Sequence, residues 1–156
     1  MTADRPNRWP WPPMIFAAVL LTALVVEMLV PLAFAAPGWL QPLGLALVTA
    51  GVALIAWAGH TMAKAKTTIL PHKGSERLVT SGPFAFSRNP IYLANGLILA
   101  GAGLGFGLPW LIVGAVIDPL LVWHFAIRRE EAHLAHRFGV EWQAYKARVG
   151  RWLGPL

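Results

Sequence analysis

From Leu93 to Ile127 the chain is almost wholly apolar, with Asn95, Asp118 and His124 its only strongly polar side chains. A run of this kind is too long for one membrane crossing and suits two, joined by a turn near Gly105-Phe106-Gly107. Polar clusters bound it on both sides: Ser87-Arg88-Asn89-Pro90-Ile91-Tyr92 before it, and Arg128-Arg129-Glu130-Glu131-Ala132-His133 after it. If the run folds back as two membrane helices, both clusters arrive at one bilayer face, where a soluble cofactor can meet a lipid-soluble substrate.

The remainder of the chain agrees with a membrane setting. Of its 156 residues 56% are hydrophobic and only 13% charged, which is too apolar for an ordinary water-soluble domain. Four segments approach the roughly 20 apolar residues that a bilayer crossing needs: 14–36, 39–59, 91–108 and 109–127. The expected architecture is therefore all-α: a single polytopic membrane domain over 1–156, with about four transmembrane helices, a loop over 60–89 and a C-terminal amphipathic helix within 128–153. All 13 basic residues fall before the first span, between the second and third, or after the fourth. Lys and Arg are retained on the cytoplasmic side, so a multi-pass protein with both termini and the polar clusters at the cytoplasmic face is expected. The first span is too long for a signal-peptide core and is expected to be retained.

The net charge of +6 is explained by this topology and by anionic lipid headgroups, so membrane lipids and not nucleic acid are the expected partners. The absence of Cys excludes disulfides, thiolate metal sites and a Cys nucleophile. His133 and His136 lack the companion carboxylate spacing of a zinc motif, and no metal site is expected.

Proline marks where helices stop. Trp9-Pro10-Trp11-Pro12-Pro13 is expected to lie outside the first helix, with its Trp residues at the interface, and Pro31 and Pro37 to bend and then end that helix. The 60–89 segment carries Leu78, Val79, Phe84 and Phe86, which favours an ordered lid or re-entrant segment over a floppy linker. Beyond Ile127, apolar residues recur at Leu134, Phe138, Trp142, Tyr145, Val149 and Trp152, a helical stripe with a candidate break at Gly139. That stripe suits either the membrane surface or the cytoplasmic end of the bundle.

Asn89-Pro90 reads as a helix start, with the Asn side chain accepting from an orphan N–H and Pro at the first helical position. Such a start, next to Arg88, favours a carboxylate or phosphate; the plainer alternative is a capped helix with an Arg on lipid headgroups. Tyr92, Asn95 and Gly96 share a face, where Gly would admit a flat ligand or a neighbouring helix. His124, Arg128 and Glu131 are spaced to share another, with Glu130 about 100° away. Arg offers a fork to a carboxylate, and Glu can accept from a ribose diol or an ammonium; the alternative is a simple surface pair. Glu27 and Asp118 are acids inside spans and so functional candidates, although Asp118 could instead bond to backbone freed by Pro119, or to a Trp or Asn of another helix.

Gly82-Pro83-Phe84, Ser87-Arg88-Asn89-Pro90-Ile91-Tyr92-Leu93, Glu130-Glu131, Leu134, Phe138-Gly139, Trp142, Tyr145 and Val149-Gly150-Arg151, in that order, resemble the isoprenylcysteine carboxyl methyltransferase and phospholipid N-methyltransferase superfamily. The resemblance spans about half the chain, from Leu78 to Trp152. It implies an integral membrane enzyme that moves a methyl group from S-adenosylmethionine to a lipid-like or prenylated carboxylate or amine. It also implies that Arg88, Asn89, Pro90, Tyr92, Glu130 and Glu131 belong to the cofactor pocket; this chain has Asn89 where many members have His. Asn95, Gly96, His124 and Arg128 join the cofactor candidates on spacing alone. Two other readings stand beside it: a non-enzymatic bundle acting as a transporter or lipid-binding scaffold, and a nicotinamide enzyme like the membrane sterol reductases, which the lack of a Gly-rich dinucleotide motif disfavours.

Overall fold

The computed structural model describes residues 11–32, 34, 37–65 and 78–154. Regular structure among them is helical throughout: α1 (Trp11–Leu29), α2 (Leu40–Lys64), a 3-10 turn (Gly82–Ala85), α3 (Pro90–Phe106), α4 (Pro109–Val122), a π-helical turn (Trp123–Ile127) and α5 (Arg128–Arg148). The ordered-lid expectation for 60–89 lies, over 66–77, outside the described residues.

Four helices alternate in direction. The start of α2 meets the end of α3, where Gly44 packs on Gly101 and Gly105, and the end of α2 meets the 3-10 turn through Thr61 and Gly82. The seam between α2 and α3 depends on bare backbone. A Cβ on Gly101 would stand 2.6 Å from the Gly44 carbonyl oxygen, and one on Gly51 2.9 Å from the Ala94 carbonyl oxygen. Lipid tails are as apolar as Leu, so close van der Waals approach of this kind is what holds membrane helices together. α3 then reverses into α4 through Gly107 in the left-handed region (φ 67°), where a side chain would be strained, and Pro109 opens α4.

α1 packs along α4, and Val19, Ala23, Leu99, Leu111, Val122 and Ile127 make the core among α1, α3, α4 and the π turn. Leu108 provides no side-chain cap for α4; instead Glu27 of α1 accepts the Trp110 amide at 3.2 Å, while the Trp110 indole donates to the Val30 carbonyl at 2.9 Å. The acid inside the first span thus satisfies an orphan helix-start amide on another helix.

Three boundaries differ from the sequence expectation. α1 begins at Trp11 and takes in Pro12 and Pro13, whose missing N–H groups fall in the first turn, where no partner exists for them, and it stops at Leu29 because Pro31 disfavours helix at the residue before it. α2 runs to Lys64, past its apolar end near 59, because a helix need not stop where the bilayer does. The fourth span does not end in a separate surface helix: α4, the π turn and α5 run on continuously as far as Gly139, whose backbone (φ 49°, ψ −114°) breaks the helix as expected.

Gly101→Val is expected to lower the thermal unfolding midpoint in detergent sharply, because the α2–α3 seam must open. Gly38→Ala, where an added Cβ meets nothing within 4 Å, is expected to leave it nearly unchanged.

Candidate functional site

The polar clusters do meet, and a third segment joins them. Residues 86–89 and the chain after α5 are laced together: Arg88 N–H donates to the Gly150 carbonyl (3.1 Å), Gly154 N–H to the Phe86 carbonyl (3.0 Å), and the Asn89 amide nitrogen Nδ2 to the Arg151 carbonyl (3.0 Å). The Asn89 side chain therefore does not cap α3, contrary to the sequence expectation; it is drawn away to the C-terminal strap, and Ser87 Oγ accepts the Asn89 amide instead. Pro90 opens α3, whose start has no side-chain cap. The 3-10 turn reaches this position by pressing Gly82 (φ 61°) on Thr61, where a Cβ would stand 2.6 Å from the hydroxyl oxygen.

Arg88 lies at the centre. Its side chain is 4% exposed, it pairs with Glu131 at 3.0 Å, and its guanidinium stands 5.5 Å from the centre of the Trp142 ring. Arg151 forks the same carboxylate through Nε (3.0 Å) and Nη2 (2.9 Å). One acid thus serves two guanidinium groups; Arg88 reaches it through Nη1, and its buried Nε has no partner. Burial pushes Arg88 below its usual value while Glu131 pulls it back up; Arg151 is raised by its hydrogen bonds to Glu131. The Tyr145 hydroxyl donates to the Phe84 carbonyl at 2.7 Å, and burial pushes it up to about 12. Tyr145, Trp142 and Val149 form a small core with Leu78, Leu134 and Phe138, so the apolar stripe of α5 packs on the segment that leads into the 3-10 turn.

Glu130 turns the other way, to the Tyr92 hydroxyl (3.1 and 3.3 Å). Burial raises its carboxyl from 4.5 to about 7; the Tyr92 hydrogen bond opposes that rise and the Glu131 charge adds to it. The folded state therefore holds this proton more tightly than the unfolded chain does. The accompanying stabilisation is complete below about pH 4.5 and is lost as pH rises through about 7.

From Tyr92 a groove of about 560 Å³ descends between α3 and α4, lined by Leu93, Gly96 and Leu97 on one side and Ala115, Val116, Pro119, Leu120 and Trp123 on the other, with Arg151 and Trp152 also in its lining. Asn95 is buried in α3, outside this lining. His124 does not join Arg128 and Glu131 on one face. The π turn, in which the Arg128 amide bonds the Trp123 carbonyl five residues back, changes the spacing; Arg128 lies 5.9 Å from the Trp123 ring centre and His124 stands edge-on to Phe125, both exposed. Pro119 cannot donate within the helix one turn before this irregularity. Asp118 finds neither of its expected partners: it is fully buried and both carboxylate oxygens lack a hydrogen bond. Arg151 is the site residue that spacing could not supply, since it lies beyond α5, and the Val149-Gly150-Arg151 motif was its only signal; Trp152, read as the end of the apolar stripe, lines the groove instead.

A family model described as phospholipid methyltransferase matches residues 39–141, or 103 of the 156 residues. The chain belongs to that family. The match spans α2 to the second half of α5 and so includes Arg88, Tyr92, Glu130 and Glu131, while α1 and Arg151 lie outside it. Membership agrees with a bundle of apolar helices and makes the protein one of a family of membrane methyltransferases. A protein of Haemophilus influenzae (strain ATCC 51907 / DSM 11121 / KW20 / Rd), described as uncharacterized, is 43% identical over 65 residues, which are 40% of this chain and the whole of that protein. No solved structure matches.

Glu131→Ala is expected to cost about 3–5 kcal/mol, since it leaves the buried Arg88 unpaired, as read from denaturant or thermal unfolding in detergent. Glu130→Gln is expected to flatten the decline in stability between pH 4.5 and about 7 that the wild-type chain shows.

Proposed function

We propose that this methyltransferase takes its methyl group from S-adenosylmethionine, bound at the Arg-rich, cytoplasmic end of the bundle, and passes it to a lipid-like acceptor lying in the α3–α4 groove. The observation that carries the reading is Arg88: a buried guanidinium whose Nε has no partner, sharing Glu131 with Arg151 of the groove lining and standing beside an uncapped helix start. That guanidinium, with the positive partial charge of the α3 N-terminus, suits an amino-acid carboxylate. Glu130 and Glu131 suit the ammonium and ribose hydroxyls, and Tyr92 stands where the polar pocket passes into the groove. The orientation follows from the basic residues around these ends.

When bound, the cofactor supplies an electrophilic methyl on a sulfonium. The protein's part is alignment and exclusion of water, which suffice for an in-line displacement. Arg88 and Glu131 hold position through their ion pair, the 150–154 strap closes over them, and Trp123 and Trp152 keep the groove apolar. A carboxylate acceptor needs no base; an amine acceptor must first lose a proton.

Calorimetric titration of the detergent-purified chain with S-adenosylmethionine and its demethylated product is expected to show binding that Arg88→Leu abolishes. No heat with either ligand at about 1 mM overturns the cofactor reading. Affinity for the cationic cofactor is expected to rise from about pH 6 to about pH 8 as Glu130 ionises, and Glu130→Gln is expected to remove that rise. Transfer of labelled methyl into a total lipid extract would identify the acceptor.

A further inference from the structure

The proposed cofactor pocket is closed on its water side. Side-chain exposure rises along the ion-paired triad, from 4% at Arg88 through 18% at Glu131 to 34% at Arg151, so Arg151 is the outermost of the three. A solute arriving from water meets Arg151 and the strap before it meets Arg88. The strap is a small body of its own. It leaves α5 at Val149, where the backbone is extended (φ −127°, ψ 123°), and closes on itself where the Gly150 N–H donates to the Gly154 carbonyl. That closure leaves no room for a side chain at Gly150, where a Cβ would stand 2.6 Å from the Gly154 carbonyl oxygen. Val149 is buried in the small core of α5, which fixes the root of the strap.

Among the described residues, the strap is tied to the rest of the chain by four polar contacts. The Arg88 amide bonds the Gly150 carbonyl, the Gly154 amide bonds the Phe86 carbonyl, Asn89 Nδ2 bonds the Arg151 carbonyl, and the Arg151 side chain forks Glu131. Trp152 adds an apolar contact by packing, half-buried, against the bundle core. The two ties made by polar side chains serve nothing else in the fold. Pro90 opens α3 without a cap from Asn89, and Glu131 already balances the charge of Arg88.

We propose that Asn89 and Arg151 are positioning residues that latch the 150–154 strap as a lid over the cofactor pocket, and that the strap swings out from Val149 to let the cofactor enter and leave. The inference rests on reading the Arg88 pocket as the cofactor site and adds how that site opens. It assigns the Asn89 side chain to the lid and not to the cofactor. A single hydrogen bond of this kind is strong enough to lower the open fraction about threefold to tenfold. A latch that is the same with the pocket empty or filled slows entry and exit alike, so loosening it speeds both. Damage to the pocket speeds exit and cannot speed entry.

Stopped-flow tryptophan fluorescence of the full-length chain in neutral detergent, mixed with the demethylated product of S-adenosylmethionine, reads both rates, with Trp142 and Trp152 as reporters at the pocket. Asn89→Ala is expected to raise the association and dissociation rate constants together, about threefold to tenfold, and to leave Kd within about twofold of wild type. Arg151→Lys, which keeps the charge and loses the fork, is expected to raise both about threefold. Without ligand, hydrogen exchange at the Arg88 and Gly154 amides, which bond across the strap, is expected to quicken in both variants. Glu27→Gln, at the far end of the bundle, is expected to keep wild-type rates. Faster dissociation without faster association in both variants, or exchange at the two amides that neither variant quickens, overturns the proposal. A wild-type chain that does not bind the product removes the cofactor reading and the lid with it, whereas binding at rates that neither variant changes removes the lid alone.

Discussion

The ion pair between Arg88 and Glu131 is the constraint around which the polar end of the bundle is arranged. A guanidinium with 4% of its side chain exposed is tolerable only beside an opposite charge, and Glu131 lies on a helix that begins four elements of chain later. To bring the two together, the chain after α2 must press its 3-10 turn on Thr61, and α5 must continue from α4 through the π turn. The strap at 150–154 must then return so that Arg151 shares the same acid. Removing two charges from water is costly, and the pair does not by itself stabilise the fold. Its consequence is specificity of arrangement: loss of Glu131 leaves the buried Arg88 without its ion pair.

The two ends of the bundle solve their backbone problem differently. At the uncharged end the α3–α4 turn is served locally or by one neighbour: Gly107 closes α3, Pro109 opens α4, and Glu27 accepts the Trp110 amide. At the basic end the chain departs from regular helix repeatedly. Pro119 interrupts the α4 ladder, a π turn follows, the start of α3 has no side-chain cap, and Arg88 and Asp118 keep unsatisfied polar atoms. Such irregularities cost stability, and their concentration at one end of one groove agrees with a region shaped for a ligand.

The apolar hairpin, the start of α3 at Pro90, the stripe along α5 and the break at Gly139 were all legible in the residues, because each depends on local composition or on helical period. The side-chain assignments read from the same period fared unevenly. Tyr92 and Gly96 do line one groove, but His124 parts from Arg128 and Glu131 because a single π turn shifts every residue after it, and Arg128 stands over the Trp123 ring. The Asn89 side chain sits at a helix start yet donates elsewhere, since the Arg151 carbonyl competes for it from 62 residues away. Glu27, a functional candidate as an acid inside a span, is accounted for by an amide on another helix.

What the sequence by itself determined is the membrane setting, the number and order of the helices, and the return of two charged clusters to one face. Hydropathy and Pro and Gly placement act through neighbouring residues and through solvent, so they are written along the chain. Which acid pairs with which guanidinium, which helix start is capped from outside, and that Asp118 is left without a partner were decided only by tertiary structure. Those outcomes depend on distances between residues far apart in sequence, and in hydrocarbon, where water cannot serve as a substitute partner, they determine where the polar chemistry lies.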